Sequence, residues 1–488
     1  MKHFIFITLA LALLVCGCDQ KPHETEESAA PILVISSPQD GAEGIKSGKL
    51  TITLVFDQNI KRAISPIPIS ISPEAKISKV NDFNEKLTIE LEELKDNSTY
   101  TVTLSSGAIT GFKPNQKATS EISISFSTEI NIALPSYSLN PSTTLSNPKA
   151  TAEAKSLYNF LLQQSGKKII SGVQSSSSNT NDFVDEVATI TGAHPALAGY
   201  DFIFLHYSPT PEGWSWVQNY NDISAAKEHW AKGGIVSYMW HWNVPTSKLA
   251  WDNGLEKRNF DGYNFYSDKT NFSINNALTE GTWENEFILK DIEEAASYLK
   301  LLQDAGIAVI WRPLHEAAGN YDLYGKNGAW FWWGKGGSEP CKKLWKLLYD
   351  KFTNTYGLNN LIWVWTLDAA EGAESSYDDW YPGDEYVDII GVDIYADNTE
   401  SKARQYQAAV NLGKGKKLVT ISECGNIPDP VKCLQDEQAW SWFMVWPSTR
   451  NSEDKYCSFG YKYNTESYWK KVMSSSQVLT RENMPKIH

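Results

Sequence analysis

Ile307-Ala308-Val309-Ile310-Trp311-Arg312-Pro313-Leu314-His315-Glu316 is the stretch that decides the fold. Its first half is a short apolar run, too brief for a helix, and its second half ends in Arg, His and Glu. A longer amphipathic segment, residues 284–302, precedes it and reads as a helix, as does 341–352 after it. The same alternation recurs along the later part of the chain. Strand candidates fall at 168–173, 196–202, 234–238, 307–311, 360–365, 387–392, 417–421 and 441–445. Eight such runs separated by helical segments predict an α/β chain closed as a (β/α)8 TIM barrel. A doubly wound open sheet is the alternative, but no GxGxxG follows any strand, so no dinucleotide fingerprint supports it.

The texture upstream is different. Leu50, Ile52, Leu54 and Phe56 alternate with polar or small residues, interrupted by Val55; Leu87, Ile89 and Leu91, then Tyr100, Val102 and Leu104, then Ile122, Ile124 and Phe126 repeat the pattern. Period-two runs bounded by Asn, Asp, Gly, Ser or Pro predict an all-β antiparallel sandwich over residues 31–130, similar to bacterial Ig-like domains. It holds no cysteine pair and no Trp, which excludes an antibody-type domain. Its expected job is spacing, with sugar binding as the alternative. Residues 131–149, rich in Pro, Ser, Thr and Asn, read as a linker, and 150–488 as the barrel domain.

The first residues read as an export signal rather than as fold. Met1-Lys2-His3 is followed by an apolar run from Phe4 to Val15, too short to span a bilayer as a permanent helix. Val15-Cys16-Gly17-Cys18 resembles a bacterial lipobox, which implies a signal at 1–17, acylation of Cys18 and a polar tether at 18–30. The expectation is an exported protein, lipid-anchored to the bacterial cell envelope. Beyond the signal, Cys341, Cys424, Cys433 and Cys457 allow three pairings, with Cys424 and Cys433 close enough in sequence to pair locally. No Cys/His spacing suggests a metal.

The net charge of −14 argues against nucleic acid and against a simple electrostatic grip on anionic lipid. All 19 tryptophans lie at or after Trp214. Such rings pack cores, and in a cleft they also stack on the apolar faces of sugars. In a barrel, polar groups just past the C-terminal ends of the strands line the site. Those positions hold Trp240-His241-Trp242-Asn243, Arg312 to Glu316, Asp393-Ile394-Tyr395, Ser422-Glu423-Cys424-Gly425 and Trp446. Two glutamates on one rim, Glu316 and Glu423, suit acetal hydrolysis, where one carboxyl protonates the leaving oxygen and the other attacks the anomeric carbon. Asp393 reads as orienting Arg312 or Tyr395, and Tyr395 as holding Glu423 ionised. Arg312 reads equally as a buried countercharge or a substrate contact, and Trp446 as a stacking floor. The acidic run Glu371, Glu374, Asp378 and Asp379 reads as solvated surface.

Trp311-Arg312-Pro313-Leu314-His315-Glu316, then Gly319, then Trp330-Phe331-Trp332-Trp333-Gly334 resembles the central motif of glycoside hydrolase family 26, mainly β-1,4-mannanases. Gly391-Val392-Asp393-Ile394-Tyr395 and Ser422-Glu423 follow in the order that family has. The resemblance implies Glu316 as acid/base and Glu423 as nucleophile, with His315 and Arg312 beside the acid/base. It implies Tyr395 as a partner of the nucleophile, Trp330 at the subsite next to cleavage, and His241 on the glycone side. One departure is the longer spacing, residues 320–329, between Gly319 and Trp330. The expected activity is retaining hydrolysis of β-1,4-mannosidic bonds in mannan or galactomannan by a monomer needing no cofactor. The alternatives are a β-glucanase or β-1,3-xylanase of the same family, or a surface glycan-binding lipoprotein without activity.

Overall fold

The computed structural model describes residues 29–95, 98–113, 116–128, 136–209, 218–252, 260–319, 329–368, 377–396, 398–447 and 463–487. The expected export signal, Cys18, Cys457, Glu371, Glu374 and residues 320–328 of the longer spacing lie outside them.

The upstream domain is a sandwich of two four-stranded sheets. One joins Leu33–Ser37, Gly48–Phe56, Lys86–Leu94 and Lys76–Phe83; the other joins Ala42–Ile45, Ile122–Thr128, Thr99–Leu104 and Ile69–Ser72. Ile52, Leu54, Phe56, Leu87, Ile89, Leu91, Tyr100, Val102, Leu104, Ile124 and Phe126 point into a common core. Their alternate neighbours are less buried, as a half-buried pleat requires. Two details differ from expectation. Ala42–Ile45 runs parallel to its neighbour, so the sandwich is not wholly antiparallel, and Leu50 only packs against the core from its edge.

The downstream domain is a closed parallel barrel. Its strands are β1 (Ile169–Gln174), β2 (Leu197–Asp201), β3 (Ile235–Trp240), β4 (Val309–Pro313), β5 (Leu361–Asp368), β6 (Ile389–Ile394), β7 (Leu418–Cys424) and β8 (Trp442–Val445). Each pairs with the next in parallel, and β8 pairs with β1. These strands are buried almost throughout, because the barrel interior covers one face and helices the other. The helices carry their own start signals. Thr282 accepts a hydrogen bond from Asn285 N at 3.1 Å and caps Trp283–Asp304, with Glu284 and Glu286 in the first turn. None of the described helices is long and apolar enough to cross a membrane.

Twelve tryptophans are fully buried, so most of these rings are core rather than cleft. Cys424 and Cys433 are buried free thiols; the local disulfide does not form among the described residues, and Cys341 is likewise free. Part of the expected linker is fastened to the barrel. Asn140 N donates to Gly415 O at 2.7 Å, Ser142 N to Lys416 O at 2.9 Å and Ser146 N to Asp388 Oδ1 at 2.5 Å. Those acceptors lie just before β6 and β7, on the face opposite the strands' C-terminal ends.

Candidate active site

Barrel register sets the height of each rim residue. Asp368 of β5 is level with Asp393 of β6, and Asp393 is level with Glu423 of β7. Arg312 of β4 is level with Met239 of β3. A row of acids therefore curves round one edge of the barrel mouth, and a guanidinium faces it. Glu316 comes from the turn after β4, where Leu314 and Glu316 both have φ of 50°. Non-glycine residues there cost about 1–3 kcal/mol each and persist only where their surroundings hold them. Glu316 N donates to Thr366 O at 3.2 Å, Gly319 N to Glu316 O at 2.7 Å, and Trp333 Nε1 to His315 O at 3.0 Å. Gly319 is required by close approach: a Cβ there would lie 2.2 Å from Trp330 Nε1.

Glu316, Asp393 and Glu423 are all buried, and one carboxyl oxygen of each lies within 4.8 Å of the other two. Such spacing would suit a cation, but Arg312 already sits against two of the three. Its Nη1 donates to Asp393 Oδ2 at 3.0 Å and its Nη2 to Glu423 Oε1, with Met239 Sδ 3.0 Å from Nη2. Tyr395, half exposed, donates its hydroxyl to Glu423 Oε2 at 2.6 Å. Both oxygens of Glu423 thus accept a hydrogen bond from a neighbouring side chain, one of them charge-assisted. Burial would release the Arg312 proton, but Asp393 and Glu423 hold it above its ordinary range.

Glu316 receives no such bond from Arg312. Burial raises its pKa well above the carboxylate range, and Asp393, Asp368 and Glu423 add repulsion. Asp393 is raised by burial and by Glu423, but Arg312 pulls against them, so the proton of the group resides on Glu316. The two buried carboxyls on one rim are therefore placed differently: Glu316 keeps a proton, while Glu423 accepts hydrogen bonds from Arg312 and Tyr395.

The remaining expected residues fall around this pair. His315 is buried; burial, His241 and Arg312 push its pKa well down, so the ring is neutral. Its Nε2 lies 3.2 Å from His241 Nε2, so its partner is the second histidine. His241 stands beside Phe265, Phe331 and Trp446, at ring separations of 5.1, 5.7 and 5.7 Å. Trp446 is part of the wall at His241. Trp330 packs on Phe331 at 5.3 Å, beside Gly319 and the Glu316 turn. Arg312 is the countercharge bonded to Asp393 and Glu423, and it also lies near enough to Glu316 to feel its charge. Asp378 and Asp379 are exposed, as a solvated surface requires.

The sequence pattern missed two rim carboxylates. Asp368 closes β5, which runs three residues past the predicted strand end, and Asp201 was read as interior to the second strand although it ends it. Both follow apolar runs, and asking which acid comes last in each strand would have found them. A buried pair, His206 and Asp291, was also unforeseen; Asp291 accepts from Trp242 Nε1 at 2.7 Å, and Trp242 O accepts from Trp332 Nε1 at 2.7 Å.

Residues 27–128 match the model of a bacterial Ig-like domain. Two curated relatives are 37% identical to this chain. A mannan endo-1,4-beta-mannosidase of Thermothelomyces thermophilus aligns over 72% of this chain and 64% of its own length. Mannan endo-1,4-beta-mannosidase B of a Piromyces species aligns over 71% and 54%. The chain thus spans less than two-thirds of these relatives. Among solved structures, a beta-mannanase from a symbiotic protist of the termite Reticulitermes speratus, complexed with gluco-manno-oligosaccharide, is 36% identical with a TM-score of 0.58. It covers 71% of this chain and 99% of its own. The GH26 domain of an endo-beta-mannanase/endo-beta-glucanase from Prevotella bryantii is 36% identical with a TM-score of 0.59, covering 71% and 100%. Residues 146–482, the whole barrel with its acid pair, match the model of glycosyl hydrolase family 26, and the chain belongs to that family.

Proposed function

We propose that this protein is a retaining endo-β-1,4-mannanase acting on mannan and galactomannan, with Glu316 as acid/base and Glu423 as nucleophile. The observation that carries this is the approach of one carboxyl oxygen of Glu316 to one of Glu423, within 4.8 Å. Retaining enzymes hold their carboxyls about 5–5.5 Å apart, whereas inverting ones need about 6.5–9.5 Å to admit a water. The relatives named as mannan endo-1,4-beta-mannosidases support the substrate.

In the first step Glu423 Oε attacks the anomeric carbon while Glu316 gives its proton to the departing glycosidic oxygen. A glycosyl ester forms, and the negative charge of Glu423 is spent. Glu316 thereby loses one of the charges that raised its pKa and, now ionised, takes a proton from the incoming water. Water attacks the ester and Glu423 leaves as a carboxylate, stabilised again by Arg312 and Tyr395. The aromatic wall of Trp330, Phe331 and Trp446 offers stacking surface that holds the sugar rings in register.

The short apolar run ending in Cys18 supports export and lipid anchoring at the cell envelope, with the catalytic unit acting as a monomer. Product profiling on mannohexaose and galactomannan, with NMR of the first-formed anomer, tests the activity. Internal cleavage with a β-anomer first is expected. An α-anomer first, or faster hydrolysis of lichenan or β-1,3-xylan, overturns the assignment. Loss of membrane association in Cys18→Ala tests the anchor.

A further inference from the structure

Behind the acid pair runs a chain of three side chains that the double displacement does not itself call on. Asp201, at the end of β2, grips His241 twice: Oδ1 accepts from His241 N at 3.0 Å, and Oδ2 meets Nδ1 at 2.6 Å. Both groups are largely shielded, with side-chain exposures of 8% and 12%. His241 Nε2 then meets His315 Nε2 at 3.2 Å, with the two rings nearly perpendicular at 77°. His315 Nδ1 is buried and has no hydrogen-bond partner.

These contacts admit one economical placement of hydrogens. An ionised carboxylate only accepts, so His241 Nδ1 carries a hydrogen. If His241 is neutral, its Nε2 is a lone pair, and His315 must donate from Nε2 and leave Nδ1 bare. The opposite placement would put an N–H on His315 Nδ1, buried with nothing to receive it, and orphaned buried donors are rarer and costlier than orphaned acceptors.

We propose that Asp201 is a positioning residue which, through His241, fixes the hydrogen placement on His315 and so braces the turn that presents Glu316. The function of that brace rests on the assignment of Glu316 as acid/base. His315 directly precedes Glu316 in the positive-φ turn, so the ring contact and the Trp333 bond hold the turn from two sides. Asparagine at 201 would offer one acceptor where two donors now point. With its amide N–H set against Nδ1, His241 moves its hydrogen to Nε2, and the His315 contact becomes hydrogen against hydrogen. An analogous Asp-to-Asn change behind a catalytic imidazole keeps the geometry but strands the ring in the wrong tautomer.

The test uses the full chain with 15N-labelled histidine, the His315 signals being assigned with His315→Gln. In the wild type His315 should show an unprotonated Nδ1 and a protonated Nε2. In Asp201→Asn that pattern should be lost, with kcat on mannohexaose down about 100-fold, the scale set by slight misplacement of a reacting group, and little change in melting temperature. A wild-type spectrum with the hydrogen on His315 Nδ1 overturns the proposal, as does an Asp201→Asn enzyme with kcat within twofold of wild type. Should that variant fail to fold, the wild-type spectrum decides alone. If the wild type cleaves no mannan, the substrate assignment falls, while the nitrogen spectrum still decides the hydrogen placement.

Discussion

Glu316 and Glu423 share one rim and one residue type, yet the barrel treats them differently. Glu423 ends a regular strand and receives Arg312 and Tyr395 on its two oxygens. Glu316 sits on a positive-φ turn among Asp393, Asp368 and Glu423 and lacks a bond from that arginine. The strand end makes a hydrogen-bond acceptor and the turn keeps a proton. Placement of one guanidinium, rather than burial, decides which is which, since both glutamates are buried.

Removing either carboxyl tests this division most severely. Glu423→Gln should lower kcat on mannan roughly 100,000-fold, the scale of losing a covalent nucleophile, and on aryl mannosides as well. Glu316→Gln should cost about 100- to 10,000-fold on mannan, the usual worth of a general acid. An aryl mannoside with a good leaving group needs no proton, so the Glu316 variant should still release a burst of phenol from it. Equal losses for both variants on both substrates would erase the distinction. Arg312→Met strikes at its cause: Asp393 and Glu423 are left buried without their countercharge, and unfolding in denaturant should reveal a loss of about 3–5 kcal/mol.

Smaller changes sharpen the contrast. The raised pKa of Glu316 means that the folded protein keeps this proton where the unfolded chain has lost it. Stability from this group therefore declines as pH rises from the ordinary carboxylate range through the raised folded value, and the alkaline limb of kcat/KM falls in the same window. Glu316→Gln should flatten that part of the stability curve. Tyr395→Phe removes one of two bonds to Glu423 from a half-exposed site, so about a tenfold loss in kcat on mannan is expected.

Much of this was legible in the chain. All eight barrel strands follow from apolar runs of four to eight residues, because strands covered on both faces have no alternation to confuse them. The glutamates were legible because each follows such a run within five residues. Short pieces of the sandwich, such as Ala42–Ile45 and Ile60–Arg62, left no signal, since a strand of three or four residues has too few positions to show a period. Asp201 and Asp368 were missed for a different reason. A strand's last residue is fixed by its neighbours' register, and sequence alone blurs it by two or three positions. The pairing of His241 with His315 joins residues 74 positions apart, and nothing local encodes it.

The fastening of residues 140–146 to the loops ahead of β6 and β7 has a mechanical consequence. Tension arriving from upstream enters the barrel at its blind end and is absorbed by backbone bonds there, a barrel's depth from the reacting carbon. The mouth, where Glu316 and Glu423 stand, stays clear of this attachment, so whatever crosses the rim does not meet the strap of chain stitched to the blind side.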